Sequence, residues 1–341
     1  MSQNLRIAVI GYGYWGPNLV RNFTSFPTTQ VVAVVDRDDS RRAAAKTLYP
    51  WVETHADATA VFADASIDAV AIAVPTALHH PLTRAALEAG KHVLIEKPLA
   101  GSRAHAEELV QLAKKHDRIL MVDHTFVFTG AVRKIKEYVD AGTLGKVLYF
   151  DSVRVNLGLF QPDSNVIWDL APHDLSILDY VLGRTPRWVS ALGARHYGAN
   201  ENLAYMTVGF DDELLAHFHF NWVAPVKVRR IMIGGTQRML VYDDTEPSEK
   251  LRLYDSGVTV QNQPKLEPEK AYNLLVQYRT GDVLAPRLDG TEALKRVVET
   301  FAHSIHTGTP PVTDGQAGLR VVQLLEAAQE SLRHESAKIK L

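Results

Sequence analysis

Leu5-Arg6-Ile7-Ala8-Val9-Ile10-Gly11-Tyr12-Gly13-Tyr14-Trp15-Gly16 is the stretch that decides the fold. A mostly apolar run reads as a buried strand, and the glycines that follow it directly, in the pattern GxGxxG, open a helix. Gly11 permits the tight turn, Gly13 lets a backbone approach a pyrophosphate, and Gly16 lets the helix pack on the sheet. The helix start offers free N–H groups to an anion. Tyr12, Tyr14 and Trp15 complete the expected cofactor-binding loop. Twenty residues after Gly16, Asp36 ends the next apolar run, where a carboxylate can accept hydrogen bonds from an adenosine ribose. That carboxylate would oppose a 2′-phosphate, so NAD is the expected cofactor. Arg37 beside it keeps NADP as the alternative.

Outward from this loop, apolar runs at Gln30–Val35, Ala69–Val74, His92–Ile95 and Ile119–Val122 alternate with helical patterns at Trp15–Phe26, Ser40–Leu48, Leu78–Ala89 and Ala104–His116. This is the rhythm of βαβ units, so an N-terminal Rossmann domain with a doubly wound parallel sheet is expected. After a helix at Ala131–Ala141 the rhythm changes to longer strands in direct succession: Lys146–Asn156, Arg187–Tyr197, Leu203–Phe210, Leu214–Trp222, Lys227–Gly234 and Arg238–Tyr242. Ala216, Phe218, Phe220 and Trp222 alternate with His217, His219 and Asn221, which gives one apolar and one polar face. Helices follow at Thr291–His306 and Gly315–His334. The fold class is therefore α/β, with a C-terminal α+β domain built on a large, mostly antiparallel, open-faced sheet. The domains are placed at 1–122, for NAD, and 123–341, for substrate and oligomerisation.

Length and charge agree with a small-molecule enzyme. The chain has 341 residues, enough for two domains, with 37 basic and 39 acidic side chains. Split at Val122, the first part carries 13 and 12 of them and the second 24 and 27, so neither part has the basic field of a nucleic-acid binder. An anionic ligand must be held by local devices. The absence of cysteine excludes thiolate nucleophiles, disulfides and Cys-ligated metals. His217 and His219 share a strand face but lack a carboxylate partner, so no metal is expected. Met1–Ile10 carries no signal-peptide pattern, and apolar runs such as Ala69–Val74 are too short for a membrane span. A cytoplasmic protein is expected.

Pro75-Thr76-Ala77-Leu78-His79-His80, Ala89-Gly90-Lys91-His92-Val93-Leu94-Ile95-Glu96-Lys97-Pro98 and Trp168-Asp169-Leu170-Ala171-Pro172-His173-Asp174 resemble motifs of the Gfo/Idh/MocA oxidoreductases. The turn at Gly142–Val147 and the ending from Gly308 to Ser331 extend that resemblance over nearly the whole chain. It implies hydride transfer between a nicotinamide and a sugar or cyclitol carbon, and it adds Pro75, Thr76, His79, Glu96 and Lys97 to the cofactor-binding set. Such a reaction needs a group that takes or returns the hydroxyl proton, and a histidine titrates in the useful range. His173 is assigned as acid/base, and Asp169, four residues earlier, as its support. Pro172 suits a first-turn position, so the helix is expected to begin there and to end at Gly183. Lys97, after a parallel strand, is assigned to polarise the reacting oxygen.

His124, Arg154, Asn156, Tyr272, Arg279 and Arg287 are the candidate substrate contacts, since arginines flanking residues 281–286 could hold a diphosphate. The Trp168–Asp174 variant looks like a branch of the family that modifies nucleotide sugars. A nucleotide sugar is the expected substrate, with a cyclitol or free sugar as the alternative and a non-catalytic NAD-sensing regulator as a second. A homodimer or homotetramer through the C-terminal sheet is expected.

Overall fold

Five short strands rich in Val, Ile and Ala can leave neither face in water, and with one three-residue polar strand at the edge they pair in parallel with helices between them. They are β1 (Leu5–Ile10), β2 (Thr29–Val35), β3 (Glu53–His55), β4 (Ala69–Ile72), β5 (His92–Glu96) and β6 (Leu120–Asp123), in the order β3-β2-β1-β4-β5-β6. The connecting helices are α1 (Gly16–Ser25), α2 (Asp39–Leu48), α3 (Thr59–Ala63), α4 (His79–Glu88) and α5 (Arg103–Lys115). The strand order reverses between β1 and β4, and ligands of doubly wound sheets bind at the carboxyl ends of the strands beside such a reversal. This computed structural model describes residues 4–158, 160, 164–260 and 276–341.

The compact unit around this sheet runs through Thr129 and also takes in Leu175–Tyr180 and Gly290–Glu326. A division at Val122 would leave the last of these segments in the other domain. It joins the first unit because Val297, Val298 and Phe301 are fully buried in a core with Leu19, Phe23 and Val34. Phe301 meets Phe23 edge to face, with ring centroids 6.3 Å apart.

The second unit comprises Gly130–Asp174, Val181–Asp289 and Ala327–Leu341. It opens with α6 (Gly130–Asp140), β7 (Val147–Leu157) and α7 (Val166–Leu182). Strands β8 (Trp188–Ala194), β9 (Leu203–Gly209), β10 (Leu215–Asn221), β11 (Val223–Gly235) and β12 (Met239–Asp243) follow. Four short strands come next: β13 (Leu251–Tyr254), β14 (Gly257–Val260), β15 (Val276–Arg279) and β16 (Val283–Leu284). Then come α8 (Ala293–Thr307), α9 (Gly315–Arg333) and the final β17 (Ile339–Lys340). Nine strands form one sheet in the order β16-β13-β12-β11-β7-β10-β9-β8-β17, antiparallel except where β10 runs parallel to β7. On β10 the side chains of Ala216, Phe218 and Phe220 are fully buried, whereas Leu215 and His217 on the opposite face are exposed.

The helix carrying Asp169 and His173 starts at Val166 rather than at Pro172. Asn165 makes the earlier start: its Oδ1 accepts from the N–H of Ile167 at 3.1 Å and of Trp168 at 3.2 Å, which caps the first turn. Pro172 then lies inside the helix, where it has no N–H to give.

Candidate active site

In the first unit the predicted residues gather where physics expects them, just after the carboxyl ends of parallel strands. Gly11 follows β1, Asp36 follows β2, Lys97 follows β5 and His124 follows β6, while Pro75 and Thr76 lie in the loop after β4. Gly11 has φ +96°, a conformation that costs a residue with a Cβ, and a Cβ there would lie 2.2 Å from the Ala73 carbonyl oxygen. At Gly16 a Cβ would come 2.1 Å from the Gly11 oxygen, so the turn closes onto the helix start only without side chains. The start of α1 carries no side-chain cap, which leaves its donors for an anion.

Asp36 is 7% exposed and is held in place by backbone donors. Its Oδ2 accepts from the Tyr12 N–H at 2.7 Å and its Oδ1 from the Asp38 N–H at 2.9 Å. Each carboxylate oxygen retains a lone pair for a ribose hydroxyl. Arg37, the expected neighbour, is exposed. Arg41, which sequence reasoning missed, comes closer: its Nη1 is 3.6 Å from Asp36 Oδ2 and 3.5 Å from where a Gly13 Cβ would be. The signal was the Asp38 cap, whose Oδ1 accepts from the Arg41 N–H and so sets Arg41 in the first turn of α2. These residues fit a dinucleotide: a turn whose Gly11 and Gly16 leave no room for a Cβ, an uncapped helix start and an anchored carboxylate.

His79 does not present its ring to a ligand. It is 1% exposed, with Nδ1 2.7 Å from the Pro98 oxygen and Nε2 2.9 Å from the Val74 oxygen. It therefore joins the loop after β4 to the turn after Lys97, and burial lowers its pKa. Glu96 pairs in register with Asp123 across β5 and β6. Burial, then the Asp123 charge, raises the Glu96 pKa well above the ordinary value, with Lys97 opposing. His124 is 1% exposed, neither ring nitrogen has a partner, and burial with the field of Lys97 pushes its pKa down to about 3. It lines a cavity with room for about one water, together with Ser176, Asp179, Tyr180 and Thr313. A sealed, neutral His124 does not offer itself as a substrate contact.

In the second unit, Asp169 and His173 stand one turn apart on α7 and both are part-buried. Asp169 Oδ2 accepts from the indole Nε1 of Trp222 at 3.0 Å, and Trp222 is itself 1% exposed. The carboxylate is thus fixed by a neighbouring strand end rather than capping its own helix. The neighbouring Asp174 is buried against Arg154, whose Nη2 and Nε lie 2.7 Å and 3.0 Å from its two oxygens. This corrects the expectation of Arg154 as a substrate contact: its guanidinium is sealed inside and committed to Asp174. Asn156 is part-buried and Arg287 exposed, while Arg279 is paired with Asp255 at 3.1 Å. Tyr272 lies outside the described residues. Among the described residues no cluster of three or more His, Asp or Glu could hold a metal, and no helix is long and apolar enough to cross a membrane.

Comparison with known proteins agrees with this geometry. The model of the oxidoreductase family with an NAD-binding Rossmann fold, GFO_IDH_MocA, matches residues 5–124, and that of the GFO/IDH/MocA C-terminal domain matches residues 132–241. A UDP-N-acetylglucosamine 3-dehydrogenase from Acidithiobacillus ferrooxidans is 26% identical over 94% of this chain and 94% of its own. A myo-inositol 2-dehydrogenase from Thermotoga maritima is 25% identical over 99% and 98% of the two chains. A solved structure of the Acidithiobacillus ferrooxidans UDP-N-acetylglucosamine 3-dehydrogenase shares the fold, with a TM-score of 0.80 at 24% identity over 98% of this chain and 99% of that one. With both of its parts matched, the chain belongs to the GFO/IDH/MocA family and is an NAD-binding oxidoreductase.

Proposed function

We propose that the protein moves a hydride between NAD and a secondary alcohol or ketone on the sugar ring of a nucleotide sugar. The observation that carries this reading is the pair on α7: a histidine one helical turn from a carboxylate that Trp222 holds in place. Bound nicotinamide supplies the hydride acceptor or donor. His173 takes the hydroxyl proton during oxidation and returns it during reduction, and Asp169 supports it. Lys97 brings a positive charge to the reacting oxygen and favours the developing alkoxide. The glycine turn and the start of α1 hold the pyrophosphate, and Asp36 holds the adenosine ribose.

Two observations support a nucleotide sugar: the likeness to a UDP-N-acetylglucosamine 3-dehydrogenase, and the Trp168–Asp174 variant of the family motif. The myo-inositol 2-dehydrogenase relative, alike over 99% of this chain, favours a cyclitol as the second reading. The exposed side chains of Leu192, Tyr205 and Leu215 on the open face of the nine-stranded sheet support self-association through that face. A cytoplasmic setting suits a chain without cysteine.

The test is to incubate the protein with NAD and, separately, nucleotide sugars, sugar phosphates and cyclitols, following reduced nicotinamide. Turnover with nucleotide sugars, lost in His173→Ala with NAD binding intact, is the expected result. Near-normal turnover in that variant would remove His173 from the mechanism, and turnover with cyclitols alone would replace the substrate class.

A further inference from the structure

Two carboxyl groups end adjacent parallel strands immediately beside Lys97. Glu96 closes β5 and Asp123 closes β6, and the two are register partners. Asp123 is 1% exposed, and Glu96 Oε1 is sealed from solvent with no hydrogen-bond partner. Register partners on neighbouring parallel strands bring the two carboxyls together in a site closed to water, where two carboxylates would repel unless one holds a proton. The remaining Asp123 contacts come from donors: Thr125 Oγ1 at 2.8 Å to Oδ1, and the indole Nε1 of Trp15 at 3.4 Å to Oδ2. Burial raises both carboxyls, but those donors favour the charged form of Asp123, whereas Glu96 has the backbone N–H and charge of the adjacent Lys97 and nothing at Oε1.

We propose that Glu96 and Asp123 share one proton, carried by Glu96, and act as a single buried anion that positions both the Trp15 end of the glycine turn and Lys97. The pair is a positioning device, not a catalytic one. Its negative charge sits next to Lys97, whose field also reaches His79 and His124, and both of those imidazoles are held neutral by burial. The single anion is therefore balanced by one cation. Loss of the shared proton at high pH places two like charges side by side in a sealed site. They separate, and Trp15, at the entrance of α1, moves with Asp123.

This deepens the assignment of Lys97 to the reacting oxygen, but its test needs neither substrate nor turnover. Infrared spectra of the full chain at pH 7 should show the carbonyl band of a protonated carboxylic acid. The band should vanish in Glu96→Gln and in Asp123→Asn. Wild-type NAD affinity should fall at least about tenfold across the alkaline transition in which the band is lost, and Asp123→Asn, with one carboxyl left at the site, should lack that fall. The indole N–H resonance of Trp15 should shift in Asp123→Asn. No acid band at pH 7, a band that survives Glu96→Gln, or the same alkaline loss of affinity in Asp123→Asn would each overturn the proposal. Should Asp123→Asn fail to fold, the Glu96→Gln spectrum still decides where the proton resides.

Discussion

His124 offers a direct measurement of how strongly the fold enforces the neutral state beside Lys97. Its imidazole is sealed, neither nitrogen has a partner, and its pKa is pushed from 6.5 to about 3 by burial first and by the Lys97 charge second. The folded value is depressed, so the stability tied to this group is fully present above pH 6.5 and is lost as pH falls from 6.5 toward 3. Between pH 8 and pH 5 the unfolded chain binds a proton that the folded chain refuses, over about 1.5 pH units at 1.36 kcal/mol each, or about 2 kcal/mol. His124→Gln removes the titration. Unfolding free energies from urea titrations at pH 8 and pH 5 should therefore show a loss about 2 kcal/mol smaller in the variant than in the wild type. His79 and His92, also held below their ordinary values, are common to both proteins and cancel in the comparison. Identical pH dependence in the two proteins would refute the reasoning, since His124 would then titrate alike folded and unfolded.

Other perturbations test the remaining supports. Asp36→Ala should weaken NAD by at least about tenfold and NADP much less, since Arg41 at 3.6 Å is then released toward a 2′-phosphate. Arg41→Ala added to it should erase the difference in titrations of both cofactors, and equal losses in the single variant would end the ribose assignment. Gly16→Ala drives a Cβ to within 2.1 Å of the Gly11 oxygen, so calorimetry should find NAD binding abolished or the protein destabilised, with an unperturbed variant refuting the geometry. Arg154→Met leaves the Asp174 carboxylate buried alone and should cost about 3–5 kcal/mol in denaturant titrations. The double variant Arg154→Met/Asp174→Leu should recover most of that loss, and a single variant as stable as the wild type would show that the pair is not sealed.

Most of the first unit was legible because buried parallel strands leave a period and a composition that survive in sequence. The strand Leu5–Ile10 and the helices α1, α2, α4 and α5 appear within a residue or two of where the pattern put them, while the five-residue α3 is too short to leave one. β3 escaped because three residues, Glu53, Thr54 and His55, carry no apolar run. The start of α7 escaped because Pro172 is a persuasive first-turn signal, whereas the Asn165 cap sits seven residues earlier, just before Val166 and Ile167. The grouping of α8 with the first unit had no local signal at all. Val297, Val298 and Phe301 make an ordinary amphipathic stripe, and only the finished core says which sheet it covers.

Motifs expose the groups proposed to meet ligands and conceal those that hold them in place. Gly11, Asp36, Lys97 and His173 are recognisable because their chemistry demands a residue type at a fixed local spacing. Their supports obey no such spacing. Arg154 reaches Asp174 across 20 residues, Trp222 reaches Asp169 across 53, and Trp15 reaches Asp123 across 108. Each of these contacts pins a carboxylate, and of the five carboxylates singled out in the two units, Asp36, Asp123, Asp169 and Asp174 receive donors from elsewhere in the chain. Glu96 alone has an oxygen that is both sealed and unanswered. In a chain whose two parts are each near neutrality, fixed local charges do what a general field would do elsewhere. The carboxyl with that unanswered oxygen is then the place where, on the proposal above, a proton completes the balance.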